Sequence, residues 1–180
     1  MSEVLLLRHP QSQHNASGHW AGWIDSPLTT QGRGEACDAA KRLAQQQHRA
    51  IVSSDLQRAA ESASIISALL RIPHIAVDPR WRERNAGDWQ GQEVAKLDSE
   101  NFHAWRRDPT SPIPGGEEYE SFRLRLFAAL NDSSQWAHQY GALIVIAHDG
   151  VQQAICRDLS LPYPYPALHG PRIILSQISY

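Results

Sequence analysis

Leu5-Leu6-Leu7-Arg8-His9-Pro10 decides the fold. An apolar run of strand length that ends abruptly in Arg-His and then a proline marks a buried strand delivering two polar side chains to the carboxyl edge of a sheet. That edge is where open α/β folds place their chemistry. Pro10 biases His9 toward extended geometry and stops the strand, so the imidazole leaves the sheet at a fixed point. The polar tail Gln11-Ser12-Gln13-His14-Asn15 follows. Far down the chain, Leu143-Ile144-Val145-Ile146-Ala147-His148-Asp149-Gly150 is again an apolar run closing on histidine. If the two strands are parallel neighbours, His9 and His148 face each other across one pocket.

The intervening chain alternates between helical and strand patterns. A loop from Ala16 to Leu28 carries Trp20 and Trp23 on either side of Gly22, and large aromatics on a loop usually pack over a pocket or cap a core edge. Thr29 or Thr30 predicts an N-cap for a helix to about Gln46, with Ala36, Ala39, Ala40 and Leu43 at helical spacing. Ala50–Ser53 reads as a short strand ending in Ser53-Ser54-Asp55. A second helix through Leu56, Ala59, Ala63, Ile66 and Leu70 follows, with Arg58 in its first turn. Pro73 closes that unit and Ile75–Val77 reads as a third strand. From Asp78 to about Glu118 the periodicity fails among tryptophans, charges and prolines, a stretch too long for a plain connection. It predicts a lid-like insertion with one or two short helices. Pro114-Gly115-Gly116-Glu117-Glu118 opens a long helix to roughly Tyr140, with Phe122, Leu126, Ala129 and Leu130 inward. After the strand ending at His148 come a helix over Val151–Leu159, a proline-rich loop and a final strand over 173–178. The order predicts a single domain over 1–180, a three-layer α/β/α sandwich with a mostly parallel central sheet and the insertion at 78–118.

Composition narrows the function classes. A chain of 180 residues with 42% hydrophobic content fits one domain with a sizeable core. A net charge of −2 argues against nucleic-acid and anionic-membrane partners, which call for a basic surface. Lys41 and Lys96 are the only lysines, and the arginine bias fits either genomic composition or a phosphate or carboxylate ligand. Without a charged leader or an apolar run of membrane-spanning length, a cytoplasmic protein is expected. Cys37 and Cys156 read as small apolar residues inside helices and not as a disulfide, and Asn15 and Asn131, though in glycosylation patterns, are not expected to be used.

The topology gathers Arg8, His9, Asn15, Arg58, His148 and, from the insertion, Glu83 at one sheet edge. Two guanidiniums, an amide and two imidazoles around one point suit a tetrahedral oxyanion such as phosphate. A carboxyl group among them has a role if one histidine attacks phosphorus, because the leaving alkoxide then needs a proton. His14 and His19 lack a helix or hairpin pattern and are expected as loop or pocket-rim residues, not as metal ligands. His148-Asp149 is similar to a metal phosphohydrolase dyad but has no partners at suitable spacing.

These residues resemble the histidine phosphatase superfamily of phosphoglycerate mutases and their phosphatase relatives. The likeness runs in order through Leu7-Arg8-His9 with Asn15, Gly22–Thr29, Ser53–Ala59, Glu83–Gly91, Pro114–Glu117 and His148-Asp149-Gly150. It implies that His9 is the nucleophile and Glu83 the general acid and then the base. Arg8, Asn15, Arg58 and His148 would hold the phosphoryl oxygens, and no metal or other cofactor would be needed. Arginines beside His9 would disfavour its imidazolium form and leave a neutral attacking nitrogen. Pro10 and Gln11 depart from the family pattern, which usually has glycine and an acidic residue there. The leading expectation is a metal-independent phosphomonoesterase for a small phosphorylated metabolite, favoured because the insertion looks shorter than the one that closes over substrate in the mutases. Phosphoglycerate mutase activity is the alternative, with Gly22, Arg106 and Arg107 against the substrate as the resemblance implies. A silent phospho-ligand or phosphoprotein binding module is the third, prompted by Pro10 and Gln11.

Overall fold

A computed structural model of the chain describes residues 3–163 and 172–174. Its sheet consists of β1 (Glu3–Arg8), β2 (His48–Ser53), β3 (His74–Val77), β4 (Ala142–Ala147) and β5 (Arg172–Ile174), in the order β3-β2-β4-β1-β5. All neighbours run parallel except β1 and β5. The last three-residue strand begins one residue before the expected one; the rest of that expected strand, and most of the proline-rich loop, lie outside the described residues. The helices are α1 (Gln13–Ala16), α2 (Thr30–Leu43), α3 (Gln57–Leu70), α4 (Glu100–Arg107), α5 (Tyr119–Tyr140) and α6 (Asp149–Asp158).

Side chains alternate across each strand, and the two faces of the sheet bury different partners. Leu5 and Leu7 of β1, Ile51 of β2 and Ile144 and Ile146 of β4 pack on Ala39, Ala40 and Leu43 of α2 and on Ala59, Ala63 and Ile66 of α3. Val4, Leu6, Val52, Leu143 and Val145 face the other way, onto Phe122, Leu126 and Leu130 of α5 and Val151 and Ile155 of α6. The strands are covered on both faces, as near-continuous apolar runs require. Thr29 caps α2 by accepting from the Gly32 N–H at 2.9 Å.

Between β3 and α5 the chain makes three single 3-10 turns, at Pro79–Trp81, Gly87–Trp89 and Val94–Lys96, and then α4. Ala86, Trp89, Phe102 and Ile113 bury one another in a cluster separate from both sheet cores, with Trp20 and Trp105 packed against it. The Pro114-Gly115-Gly116 turn belongs to this segment: the Pro114 carbonyl accepts from the Asp88 N–H at 2.9 Å, and the long helix starts only at Tyr119. Among the described residues no helix is long and apolar enough to cross a membrane. Cys37 and Cys156 are unpaired.

Candidate active site

β1 and β4 are parallel neighbours with Arg8 opposite Ala147, so the residue after each strand, His9 and His148, emerges at the same edge. Their rings stand 5.2 Å apart between centroids at an interplanar angle of 61°. Both are buried, at 5% and 0% exposure, which makes charge on either ring expensive. The His9 Nδ1 lies 2.7 Å from the Pro10 carbonyl. A carbonyl can only accept, so the proton sits on Nδ1 and Nε2 is the unprotonated nitrogen. The Arg58 Nε–H donates to that nitrogen at 3.1 Å. Burial first, and then Arg58 and Arg8, hold the His9 pKa well below the usual imidazole range.

Arg58 reaches the site from the first turn of α3. Its Nη1 donates to the Ile24 carbonyl at 3.1 Å and its Nη2 to the Gly22 carbonyl at 2.7 Å. Burial lowers it to about 10, which leaves it charged at neutral pH. Gly22 is required here: it has φ +51°, and a Cβ would fall 2.4 Å from Gln90 Oε1, the atom that accepts the Trp23 N–H.

His148 is ordered by Ser54, whose Oγ lies 2.9 Å from Nε2. The same oxygen accepts from the Leu56 N–H at 3.3 Å, and we take its proton as given to the ring. Nδ1 then carries the ring hydrogen, and it has no partner among the described residues. Burial first, then Arg58, keeps His148 neutral by lowering its pKa well below the usual value.

Glu83 sits half-buried in the same cavity. Its Oε1 accepts from the Arg84 N–H at 2.9 Å and its Oε2 from the Gly150 N–H at 3.0 Å. Burial raises its pKa despite those two donors, and Asp149 nearby adds to the rise. Gly150 must lack a side chain, since a Cβ there would come within 2.3 Å of Glu83 Oε1. The loop carrying Glu83 is clamped by Arg125 of α5, which donates to the carbonyls of Arg80, Arg82 and Glu83 at 2.7, 2.8 and 2.9 Å. Arg125 is itself held bidentately by Glu117 at 2.7 and 2.8 Å. Trp23 Nε1–H also donates to the Glu83 carbonyl, at 2.6 Å.

Arg8, His9, Asn15, Gly22, Arg58 and Glu83 all line one cavity of about 510 Å³, whereas His148 is fully buried against the His9 ring and does not itself line it. The Asn15 Oδ1 is taken by Ser12, at 2.9 Å from its hydroxyl, so the donor end of the amide is the one open to the cavity. Arg106 and Arg107 are not brought there: both are exposed at the end of α4, and the Arg106 guanidinium lies 6.0 Å over the Phe102 ring. Glu117, a competitor of Glu83 in sequence, is committed to Arg125. His19 lines the cavity, and His14 packs edge-on to it at 6.3 Å. Among the described residues no group of histidine, cysteine and carboxylate side chains is placed to hold a metal ion. Gln11 turns toward α2, where its Oε1 accepts from the Thr29 hydroxyl at 2.7 Å.

Sequence reasoning missed Ser54, Asp149 and Arg84. Asp149 follows His148 and lines the cavity, bonding Arg8 Nη1 at 3.3 Å; its adjacency to the histidine was the available signal. Nothing in the sequence distinguishes Ser54 from Ser53.

A sheet edge carrying an unprotonated imidazole nitrogen, guanidiniums around it and a protonatable carboxyl group can bind an anion and can offer it a nucleophilic nitrogen. The chain belongs to the histidine phosphatase superfamily (branch 1), whose family model matches residues 4–177. Among curated relatives, a glucosyl-3-phosphoglycerate phosphatase of Mycolicibacterium vanbaalenii is 32% identical over 93% of this chain and 79% of its own length. A metal-independent phosphoserine phosphatase of Arabidopsis thaliana is 32% identical over 86% of this chain and 67% of its own. Among solved structures, a mycobacterial glucosyl-3-phosphoglycerate phosphatase in complex with VO3 superposes with a TM-score of 0.80 at 30% identity, covering 90% of this chain and 82% of that one. The α-ribazole phosphatase of Shigella flexneri gives 0.74 at 27% identity over 89% and 81%.

Proposed function

We propose that the protein is a phosphomonoesterase that hydrolyses a small phosphorylated metabolite through a phosphohistidine at His9. The observation that carries it is the unprotonated Nε2 of His9, fixed by Nδ1–H bonding to the Pro10 carbonyl, with Arg58 against it and Glu83 in the same cavity. Substrate phosphate displaces the Arg58 Nε–H from Nε2 and takes that guanidinium as its own ligand, together with Arg8, Asn15 and the His148 Nδ1–H. The Nε2 pair then forms a bond to phosphorus as the ester P–O bond breaks, and protonated Glu83 gives its proton to the departing oxygen. In the second half Glu83, now a carboxylate, takes a proton from water, whose oxygen attacks phosphorus and breaks the N–P bond. Inorganic phosphate and free His9 result.

Arg8 and Arg58 supply the positive field that a metal ion provides in other phosphoryl transfers, so the reaction needs none. The elevated proton affinity of Glu83 suits the first half, where it must arrive protonated. Hydrolysis is favoured over mutase activity because Arg106 and Arg107, the cations expected against a phosphoglycerate carboxylate, are exposed away from the cavity. A neutral nucleophile with its acid in place favours turnover over silent binding. We also place the protein in the cytoplasm, which the two unpaired cysteines support. The test is His9→Ala assayed on 4-nitrophenyl phosphate, with acid-labile phosphoenzyme trapped from the wild type. Loss of both turnover and phosphoenzyme is expected, and full activity in the variant would refute the mechanism.

A further inference from the structure

The cavity is larger than a phosphoryl group needs, and its remainder has different chemistry. Trp20, Val94, Trp105, Ile113, Tyr119 and Leu161 contribute much of that lining. Trp20 and Trp105 meet edge to face at 4.8 Å and are braced from behind by the Trp89 and Phe102 cluster, so their rings form a fixed apolar wall. Of the two cations that line this chamber, Arg84 is buried and fully engaged, and Arg157 is half exposed and shared with a surface carboxylate. The Arg84 guanidinium donates to the carbonyls of Pro109, Ser111 and Glu117 at 2.7, 3.1 and 2.8 Å, and Arg157 pairs with Asp108 at 3.2 Å.

One anionic side chain stands at the entrance to the chamber from the phosphoryl end. Asp149 Oδ1 accepts from Arg8 Nη1 at 3.3 Å and from the Tyr163 hydroxyl at 3.1 Å, and its Oδ2 accepts from Gln153 Nε2 at 2.8 Å. Its carboxylate is 36% exposed, toward the cavity it lines. A substrate carboxylate beside the phosphate would meet this like charge, whereas hydroxyl groups would find an acceptor.

We propose that the chamber receives an uncharged alcohol bearing a ring with a flat apolar face, and that Asp149 turns away esters with a carboxylate near the phosphate. The inference rests on the phosphatase reading and narrows its substrate class. It separates this chain from relatives whose names specify phosphoglycerate or phosphoserine esters. Aromatic rings and sugar faces share the chemistry that stacks on indole.

The test uses the intact protein and kcat/KM for four alkyl phosphates of similar leaving-group strength: 2-phenylethyl phosphate, glucose 6-phosphate, glycerol 3-phosphate and 3-phosphoglycerate. At least one ring-bearing ester should exceed glycerol 3-phosphate by about tenfold or more, and the better of the two tells an aromatic ring from a sugar. Glycerol 3-phosphate should exceed 3-phosphoglycerate by about tenfold, and Asp149→Asn should shrink that second ratio several-fold. Trp105→Ala should erase most of the ring preference. A wild-type protein that prefers 3-phosphoglycerate to glycerol 3-phosphate, or shows no ring preference, overturns the proposal while leaving the phosphatase reading intact. Failure to hydrolyse any of the four, with no phosphoenzyme, overturns the phosphatase reading itself.

Discussion

Replacing Ser54 by alanine should disarm His148 without touching any group that meets the phosphate directly. Ser54 and His148 are both fully buried and joined at 2.9 Å, and a hydroxyl proton given to Nε2 leaves the ring hydrogen on Nδ1. In the variant Nε2 loses its donor, and the tautomer with hydrogen on Nε2, useless to a phosphoryl oxygen, becomes available. Stranding one buried polar atom costs about 1–3 kcal/mol, or roughly five- to 150-fold in an equilibrium. Because His148 would hold the phosphoryl oxygens in both ground and transition states, vanadate affinity and kcat/KM should fall by similar factors within that range. The assay is vanadate inhibition of 4-nitrophenyl phosphate hydrolysis, paired with a thermal melt and the ¹⁵N shifts of the His148 ring. Unchanged vanadate affinity in a variant that melts like the wild type would refute the tautomer argument.

Glu83→Gln should slow an alkyl ester such as glycerol 3-phosphate by about 10²–10⁴ but 4-nitrophenyl phosphate much less, since a good leaving group needs little protonation; equal losses on both would remove Glu83 from the acid role. Gly150→Ala should displace the Glu83 carboxyl group and lower kcat more than tenfold with little change in phosphate affinity, measured by inhibition with inorganic phosphate. His9 and His148 have depressed pKa values, so below about pH 6.5 the unfolded chain takes up protons that the folded one refuses, and stability must fall with pH. Urea denaturation between pH 7 and 5.5 should show a slope approaching about 2.7 kcal/mol per pH unit for the two rings, and a flat profile would contradict their burial as neutral groups. Over pH 7 to 6, by contrast, kcat/KM should not drop through protonation of His9.

The parts of this fold that were legible are those where one residue pattern allows one structure. The Leu5–Leu7 and Leu143–Ala147 runs have the length and bounds of buried strands, and their abrupt polar endings put His9 and His148 at one edge once the two strands pair in parallel. β2 was read two residues short because His48 and Arg49 look like loop, whereas His48 is buried and the ladder extends to it. The long helix was started too early because Pro114 and the two glycines resemble a helix entry but instead pack as a turn against Gly87 and Asp88. In the site, strand-end and helix-start residues could be placed from topology alone. Which arginine meets the cavity could not: Arg84 and Arg106 are equally arginine in sequence, and the Pro109, Ser111 and Glu117 carbonyls that hold Arg84 inside are brought together only by the fold, while Arg106 stays in solvent.

The bracket that Arg125 forms has a bearing on how such an enzyme changes over time. Glu83 is fastened to α5 and to the tip of α6, both parts of the sandwich, and its hold does not pass through Val94, Trp105 or Ile113. Mutations can therefore reshape the aromatic chamber while the Glu83 carboxyl group keeps its place beside His9. Laboratory libraries confined to Val94, Trp105 and Ile113 should inherit working chemistry in most members and differ in what they accept.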